Sequence, residues 1–130
     1  MTGSRLKACW LVAGLIVACA MASQGWAHHG WGWASDELSE KTGEIVDVRL
    51  GNPHGEVDLK VNGQLWTIEV GQPWRNERAG LTDQVLVEGR EMTVLGNPST
   101  REGEKVLKAV RVTIGGTHHD LYEGRLPDAE

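Results

Sequence analysis

The chain has 130 residues, a net charge of −5, two Cys, five His, six Trp and no Phe. This length allows a single domain. The 18 acidic residues outnumber the 13 basic ones, so we expect no basic surface for a nucleic-acid backbone. A hydrophobic content of 40% is enough to form a core and excludes wholesale disorder.

Residues 1–27 have the layout of a secretory signal peptide. Arg5 and Lys7 give a positive start, an apolar run follows, and a small-x-small pattern ends at Ala27. The run has about thirteen apolar residues where a bilayer span needs roughly 20, which favours a cleaved signal over an uncleaved anchor. The tetrapeptide that ends at Cys19 resembles a lipobox, so lipoprotein processing at Cys19 is the alternative to cleavage after Ala27.

Cleavage after Ala27 predicts a periplasmic mature chain of 103 residues that begins at His28. Both Cys are removed, so the mature chain can form neither a disulfide nor a thiolate metal site. Its net charge becomes −7, and it retains all five His and four Trp. We expect no stable membrane insertion once the apolar run is gone.

The mature chain begins with a Gly- and Trp-rich arm over residues 28–41. From Thr42 onward apolar and polar residues alternate, which predicts a β domain over residues 42–116. Asn62 and Gly63 predict a hairpin between the second and third strands, because a type I′ turn needs positive φ at both central positions.

The second half of the β domain is less regular. Pro73 is typical of a helix start, whereas Val85–Val87 fits either a turn or a strand. The last two strands and the polar C-terminal tail are predicted at Glu91–Leu95, Val106–Ile114 and residues 117–130. Lys108 falls on the inward face of the last strand and is expected near an end or an opening.

Three antiparallel strands, a partly helical connection and two further strands are the order of the OB-fold, a small five-stranded Greek-key barrel. An open meander sheet is the alternative. The two Gly-Asn-Pro breaks at Gly51–Pro53 and Gly96–Pro98 would lie in loops at one end of such a barrel. Because Gly, Asn and Pro are all common turn residues, two unrelated turns explain the repeated Gly-Asn-Pro equally well.

The histidines suggest a metal site. The α-amine and Nδ1 of an amino-terminal His28 would chelate one ion, and nitrogen ligands suit Cu(II). His54, in a Pro- and Gly-bounded loop, is the candidate for a third nitrogen, in the arrangement called a histidine brace. His29 offers another chelate with the same amine, and a surface His pair is the simpler alternative. His118 and His119 are weaker candidates because adjacent strand residues face opposite ways.

Trp31 and Trp33 allow a second hypothesis. Together with Asn52 and Asn97 they would bind a peptide, a glycan or a small ligand without any metal. Packing of the two rings is the simpler interpretation, because a chain without Phe must fill its core with Trp and aliphatic residues. Trp74 is predicted to plug the bottom of the barrel.

Nothing in the sequence indicates nucleophilic or acid–base catalysis, so no enzymatic activity is predicted. The serines have no motif context and the paired carboxylates are typical of a solvated surface. An amino-terminal-His copper oxidase, with Tyr122 as the axial aromatic, is the remaining enzymatic alternative.

Four motifs resemble a family of small bacterial periplasmic proteins of unknown function, which carry Ala-His-His after the signal peptide and then Asn-Pro-His. The motifs are Ala27–Trp31, Thr42–Ile45, Asn52–Gly55 and Trp66–Glu69. The resemblance implies a periplasmic OB-like domain, and it implies His28, His29 and His54 as one set. The leading hypothesis is a copper-binding protein acting in storage, delivery or resistance.

Overall fold

A computed structural model describes residues 30–128. The chain divides into two units, Met1–Trp33 and Ala34–Glu130. The predicted signal peptide, His28 and His29 lie outside the described residues, so those predictions stay predictions.

Over its described residues, 34–128, the second unit contains six strands, one short helix and one 3₁₀ turn. The strands are β1 (Ser39–Arg49), β2 (Glu56–Val61), β3 (Gln64–Glu69), β4 (Glu91–Pro98), β5 (Val106–Ile114) and β6 (Thr117–Asp120). The helix α1 spans Pro73–Arg78 and the 3₁₀ turn spans Glu123–Arg125. Within residues 30–128, no helix has the length and apolar character needed to cross a bilayer.

Five of the strands close into a barrel. They follow the order β3-β2-β1-β4-β5, and β3 then pairs with β5 in parallel through Thr67–Glu69 and Val106–Lys108. The parallel pair closes the sheet, so the predicted five-stranded OB-like barrel is confirmed and the open meander is not. Strand β6 is not part of this closed ring; it pairs in antiparallel register with Arg111–Ile114 of β5.

Strand β1 serves both halves of the barrel, because it pairs with β2 and with β4. At Gly43 a side chain has no room, since a Cβ there would lie 2.2 Å from the Lys60 carbonyl oxygen. The register with β2 shifts between Ile45 and Asp47, which marks a β-bulge at Val46. Ile45 precedes the bulge and is buried, Val46 is exposed, and Val48 beyond the bulge packs against the core, so simple alternation does not describe this strand.

The core fills the barrel with aliphatic side chains from all five strands and from the connection after α1. Met92 and Val94 are fully buried, as their alternation in the sequence predicts. The other members include Ile45, Val57, Leu59, Ile68, Leu81, Leu86, Leu107, Val112 and Leu121. Burying one such side chain stabilises the fold by about 1.5–3 kcal/mol.

The connection between β3 and β4 is helical only at α1, where Pro73 occupies the first turn as predicted. Buried Asn76 anchors the helix: its Oδ1 accepts from the Gly71 N–H and its Nδ2 donates to the Gly71 carbonyl, both at 2.8 Å. Val85 ends a turn that begins after Thr82, and Val85–Val87 is not a strand. The prediction that Trp74 plugs the barrel is wrong, because its side chain is 54% exposed at the surface of α1.

Two hairpins use the same turn chemistry. Asn62 and Gly63 have φ of 49° and 78°, which confirms the predicted turn between β2 and β3. Gly115 and Gly116 have φ of 57° and 79° and join β5 to β6 in the same way. The polar tail predicted from residue 117 therefore begins with a strand that the sequence pattern does not indicate.

Candidate functional site

A buried ion pair lies where the barrel closes. Glu69, the last residue of β3, is the register partner of Lys108 in β5. Lys108 Nζ donates to Glu69 Oε1 at 2.5 Å, and the two residues are only 5% and 2% exposed. Lys108 is buried, but the prediction that it faces inward is wrong. A register shift between β5 and β4 at Val110 interrupts the alternation, so Leu107 and Ala109 line the core and Lys108 lies on the opposite face with Glu69.

His54 extends this pair into a cluster of three side chains. The loop that carries it, residues 50–55, contains a cis peptide bond between Asn52 and Pro53. The Gly55 N–H donates to the Gly71 carbonyl, and the Val70 N–H donates to the Gly55 carbonyl, both at 2.9 Å. These bonds fix the loop against the end of β3.

Within this cluster His54 Nε2 lies 3.6 Å from Glu69 Oε2, and the His54 side chain is 17% exposed. Its Nδ1 lies 3.3 Å from the Gly55 carbonyl oxygen. A carbonyl oxygen only accepts, so Nδ1 carries the proton in this contact and a neutral ring keeps its lone pair on Nε2. The lone pair is thereby directed to the side where the Glu69 carboxylate lies.

The cluster contains two side chains that can ligate a metal ion, one imidazole and one carboxylate. A ligating histidine commonly donates its other ring N–H to a backbone carbonyl, and His54 has that arrangement. Within the part of the chain that the structure describes, no group of three His, Cys, Asp or Glu side chains is placed to hold an ion.

Asn97 lies beside the ion pair as the register partner of Lys108. It is a residue of β4, so the prediction that the second Gly-Asn-Pro opens a loop is wrong. The strand continues because Gly96 allows close approach to β5, where a Cβ would lie 2.2 Å from the Lys108 carbonyl oxygen. Asn97 Nδ2 donates to the Glu37 carbonyl at 3.3 Å, while its buried Oδ1 receives no hydrogen bond from residues 30–128.

The remaining residues predicted for ligand binding differ in exposure. Asn52 is exposed in its loop, whereas Asn97 is 2% exposed. Trp31 is half-buried and Trp33 is 5% exposed. Because Asn97 lies in a strand and Asn52 in a loop, the two do not form the matched pair of loop residues that the sequence suggests.

The two histidines of β6 point to opposite sides, as adjacent strand residues must. Exposed His118 shares a 2.8 Å hydrogen bond between its Nδ1 and Thr113 Oγ1. Buried His119 donates from Nδ1 to the Ala79 carbonyl at 2.9 Å, which ties β6 to the end of α1. The two rings are therefore held apart and do not chelate one ion together.

Arg75 connects α1 to the segment after β6. Its guanidinium carbon lies 4.5 Å from the centre of the Trp74 ring and 4.3 Å from that of Tyr122. Its Nη1 also donates to the Leu121 carbonyl at 2.9 Å. Burial raises the pKa of Tyr122; the Arg75 charge acts in the opposite direction, and the Glu69 carboxylate adds to the increase.

Sequence reasoning finds two members of the cluster, His54 and Lys108, and misses Glu69. Strict alternation in β3 puts Ile68 inward and Glu69 outward. A signal is nevertheless present, because a lysine among the apolar residues of β5 is buried only with a carboxylate partner.

These features define a small OB-like barrel with a His–Glu–Lys cluster at its closure. The sequence model for the family of unknown function DUF6152 matches residues 15–108, and the chain belongs to this family. No curated protein matches the chain.

Two solved structures are similar to this chain at low identity. One is the crystal structure of apo TiaS (tRNAIle2 agmatidine synthetase), with 11% identity and a TM-score of 0.44 over 60% of this chain. The other is the ZRD-deleted mutant of TiaS in complex with agmatine, with 14% identity and a TM-score of 0.44 over 72% of this chain. The matches cover 18% and 24% of those two chains.

Proposed function

We propose that this is a periplasmic metal-binding protein that binds Cu(II) through amino-terminal His28 and loop residue His54 and acts in copper storage, delivery or resistance. The observation that carries the proposal is the orientation of His54. Its Nδ1 is bonded to a backbone carbonyl, and its Nε2 faces a carboxylate 3.6 Å away.

That orientation suits a metal ligand for two reasons. First, Nδ1 lies beside the Gly55 carbonyl, an arrangement common among ligating histidines, which leaves Nε2 as the nitrogen available to an ion. Second, Gly55 next to His54 is bonded to the segment after β3 through both its N–H and its carbonyl, which holds the ring in place and lowers the entropic cost of binding.

The support for His28 comes from the sequence. Cleavage after Ala27 would give His28 a free α-amine, and an amine with a pKa of about 8 beside an imidazole with a pKa of about 6.5 gives a strong bidentate chelate near neutral pH. His29 supplies the competing chelate, in which the same amine acts with a backbone amide and the second imidazole. Imidazole and amine ligands favour Cu(II) over other divalent ions.

The test is a Cu(II) competition titration of mature protein purified from periplasm, with its amino terminus verified by intact mass. Three variants are compared with it: one extra Ala before His28, His54→Gln, and His118→Gln as the matched control. We expect the first two to bind Cu(II) about tenfold more weakly or worse, and the control to bind as wild type.

Equal affinity in the extended protein would overturn the role of the His28 amine, and equal affinity in His54→Gln would overturn the role of His54. If the wild type binds no Cu(II), the proposal fails. The alternative is then an OB-type binding module for a peptide, glycan or small ligand, for which Trp31→Ala would weaken binding while metal removal would have no effect.

A further inference from the structure

We infer that Glu69 is a further ligand to the bound ion, and that Lys108 is the internal cation that neutralises Glu69 when the ion is absent. The inference rests on the proposed function, because it requires an ion at His54. It adds a carboxylate that no sequence motif indicates, and it makes a buried lysine the competitor of the metal ion.

The distances allow one ion to reach both side chains. Bonds from a metal ion to imidazole nitrogen and carboxylate oxygen are about 2.0–2.2 Å, so two ligand atoms on one ion are separated by at most about 4.4 Å. His54 Nε2 and Glu69 Oε2 are 3.6 Å apart. An ion placed between them would therefore be within bonding distance of both atoms.

The carboxylate of Glu69 has one oxygen for each role. Oε1 accepts from Lys108 Nζ, while Oε2 faces His54. A carboxylate has acceptor capacity on both oxygens, so binding an ion through Oε2 does not require breaking the bond to Lys108. The same side chain can thus be neutralised by a lysine alone or by a lysine together with a metal ion.

The positive charge of Lys108 affects the affinity of the site for a metal ion. A carboxylate that is 2% exposed must have a positive partner, and Lys108 provides one from the neighbouring strand. A divalent ion at Oε2 brings a second positive group to the same carboxylate, in a site where water screens little. Lys108 and the ion repel each other there, so Lys108 lowers the affinity of the site for the ion.

The experiment measures Cu(II) affinity and the Cu(II)-dependent rise in Tm for the full mature protein and for Glu69→Gln, Lys108→Met and Lys108→Arg. Glu56→Gln is the matched control, because Glu56 is the register partner of Glu69 on the adjacent strand and its side chain is 41% exposed. The absorption band of bound Cu(II) is recorded for each protein to report on its ligands.

We expect Glu69→Gln to bind Cu(II) about tenfold more weakly, with a shifted absorption band, and Glu56→Gln to match the wild type. Lys108→Met should bind severalfold more tightly and show a larger rise in Tm with Cu(II), because the ion replaces the missing charge. Lys108→Arg, which retains the charge, should bind as the wild type does.

Failure of the inference is distinct from failure of the proposed function. If Glu69→Gln keeps wild-type affinity and absorption while His54→Gln loses affinity, Glu69 is not a ligand and the proposed function stands. If Lys108→Met binds no more tightly than Lys108→Arg, the competition is overturned. If His54→Gln binds as the wild type does, the proposed function falls and the inference falls with it.

Discussion

Two ion-pair clusters lie on neighbouring strands of the barrel and differ in their access to water. In the exposed cluster, Arg49 donates to Asp47, Glu56 and Asp58, and the Arg49 side chain is 44% exposed. In the buried cluster, Glu69 has Lys108 as its charge partner, and both side chains are less than 10% exposed. The exposed cluster has more ion pairs, but the buried cluster has the larger energetic consequence.

The reason is that water replaces a lost partner only at the surface. An exposed pair contributes about 0.2–1 kcal/mol, because solvent and salt screen it. Removing one partner of a buried pair leaves an uncompensated charge and costs about 3–5 kcal/mol. The comparison predicts three graded effects on the free energy of unfolding, each measured without metal.

The largest effect is expected for Lys108→Met. It leaves Glu69 buried without its partner, so chemical denaturation should show a loss of about 3–5 kcal/mol. The control is the double variant Glu69→Gln/Lys108→Met, which removes both charges and should regain most of that loss. A loss below about 1 kcal/mol in the single variant would show that the buried pair behaves like a surface pair.

An intermediate effect is expected for Asp120→Asn. Arg111 bonds Asp120 through Nε at 2.5 Å and Nη2 at 3.0 Å, with side chains 31% and 26% exposed. The loss at neutral pH should be about 1 kcal/mol.

The same variant tests a dependence on pH. The Arg111 hydrogen bonds hold the pKa of Asp120 below its usual value, so the folded state favours the charged carboxylate. This contribution is fully present above the ordinary carboxyl pKa of about 3.9 and is lost as the pH falls through the lower pKa of the folded state. The free energy of unfolding of Asp120→Asn should therefore fall less than that of the wild type as the pH drops through this range. Equal decreases in the two proteins would contradict the prediction.

The smallest effect is expected for Arg49→Gln, at most about 1 kcal/mol at low salt. Hydrogen bonds from Arg49, and then one from Thr67, lower the pKa of Asp58, so the contribution is present above the ordinary carboxyl pKa and lost below it. Because the cluster is exposed, about 1 M salt should shrink the difference between variant and wild type. A difference that salt leaves unchanged would mean that the Arg49 cluster is shielded from solvent.

The sequence predicts the barrel well where local chemistry decides the structure. Asn62 and Gly63 define their hairpin through backbone conformation alone. Strand β6 was missed although Gly115 and Gly116 form the same kind of turn, because the residues after them are polar and lack an alternating apolar face. The bulge at Val46 could not be predicted either, since it arises from pairing β1 with two partners.

The candidate site was predictable only in part, for a related reason. His54 and Lys108 stand out individually, one by its loop and the other because it is a charged residue among the apolar residues of β5. Glu69 does not, because its position on the outer face of β3 predicts exposure, whereas His54, from the loop that Gly55 bonds to Val70 and Gly71, covers it. That covering is a tertiary contact, and strand periodicity carries no information about it.

The parallel pairing of β3 with β5 has a consequence for the order of folding. The turn at Asn62 and Gly63 lets β2 and β3 meet early, whereas the pair Glu69–Lys108 joins residues 39 positions apart. Closing that long connection costs chain entropy, and the packing of the core offsets this cost only after closure. The barrel should therefore close late. The charged cluster therefore forms only when the barrel closes, and a chain that ends before Val106 would leave Glu69 without its lysine.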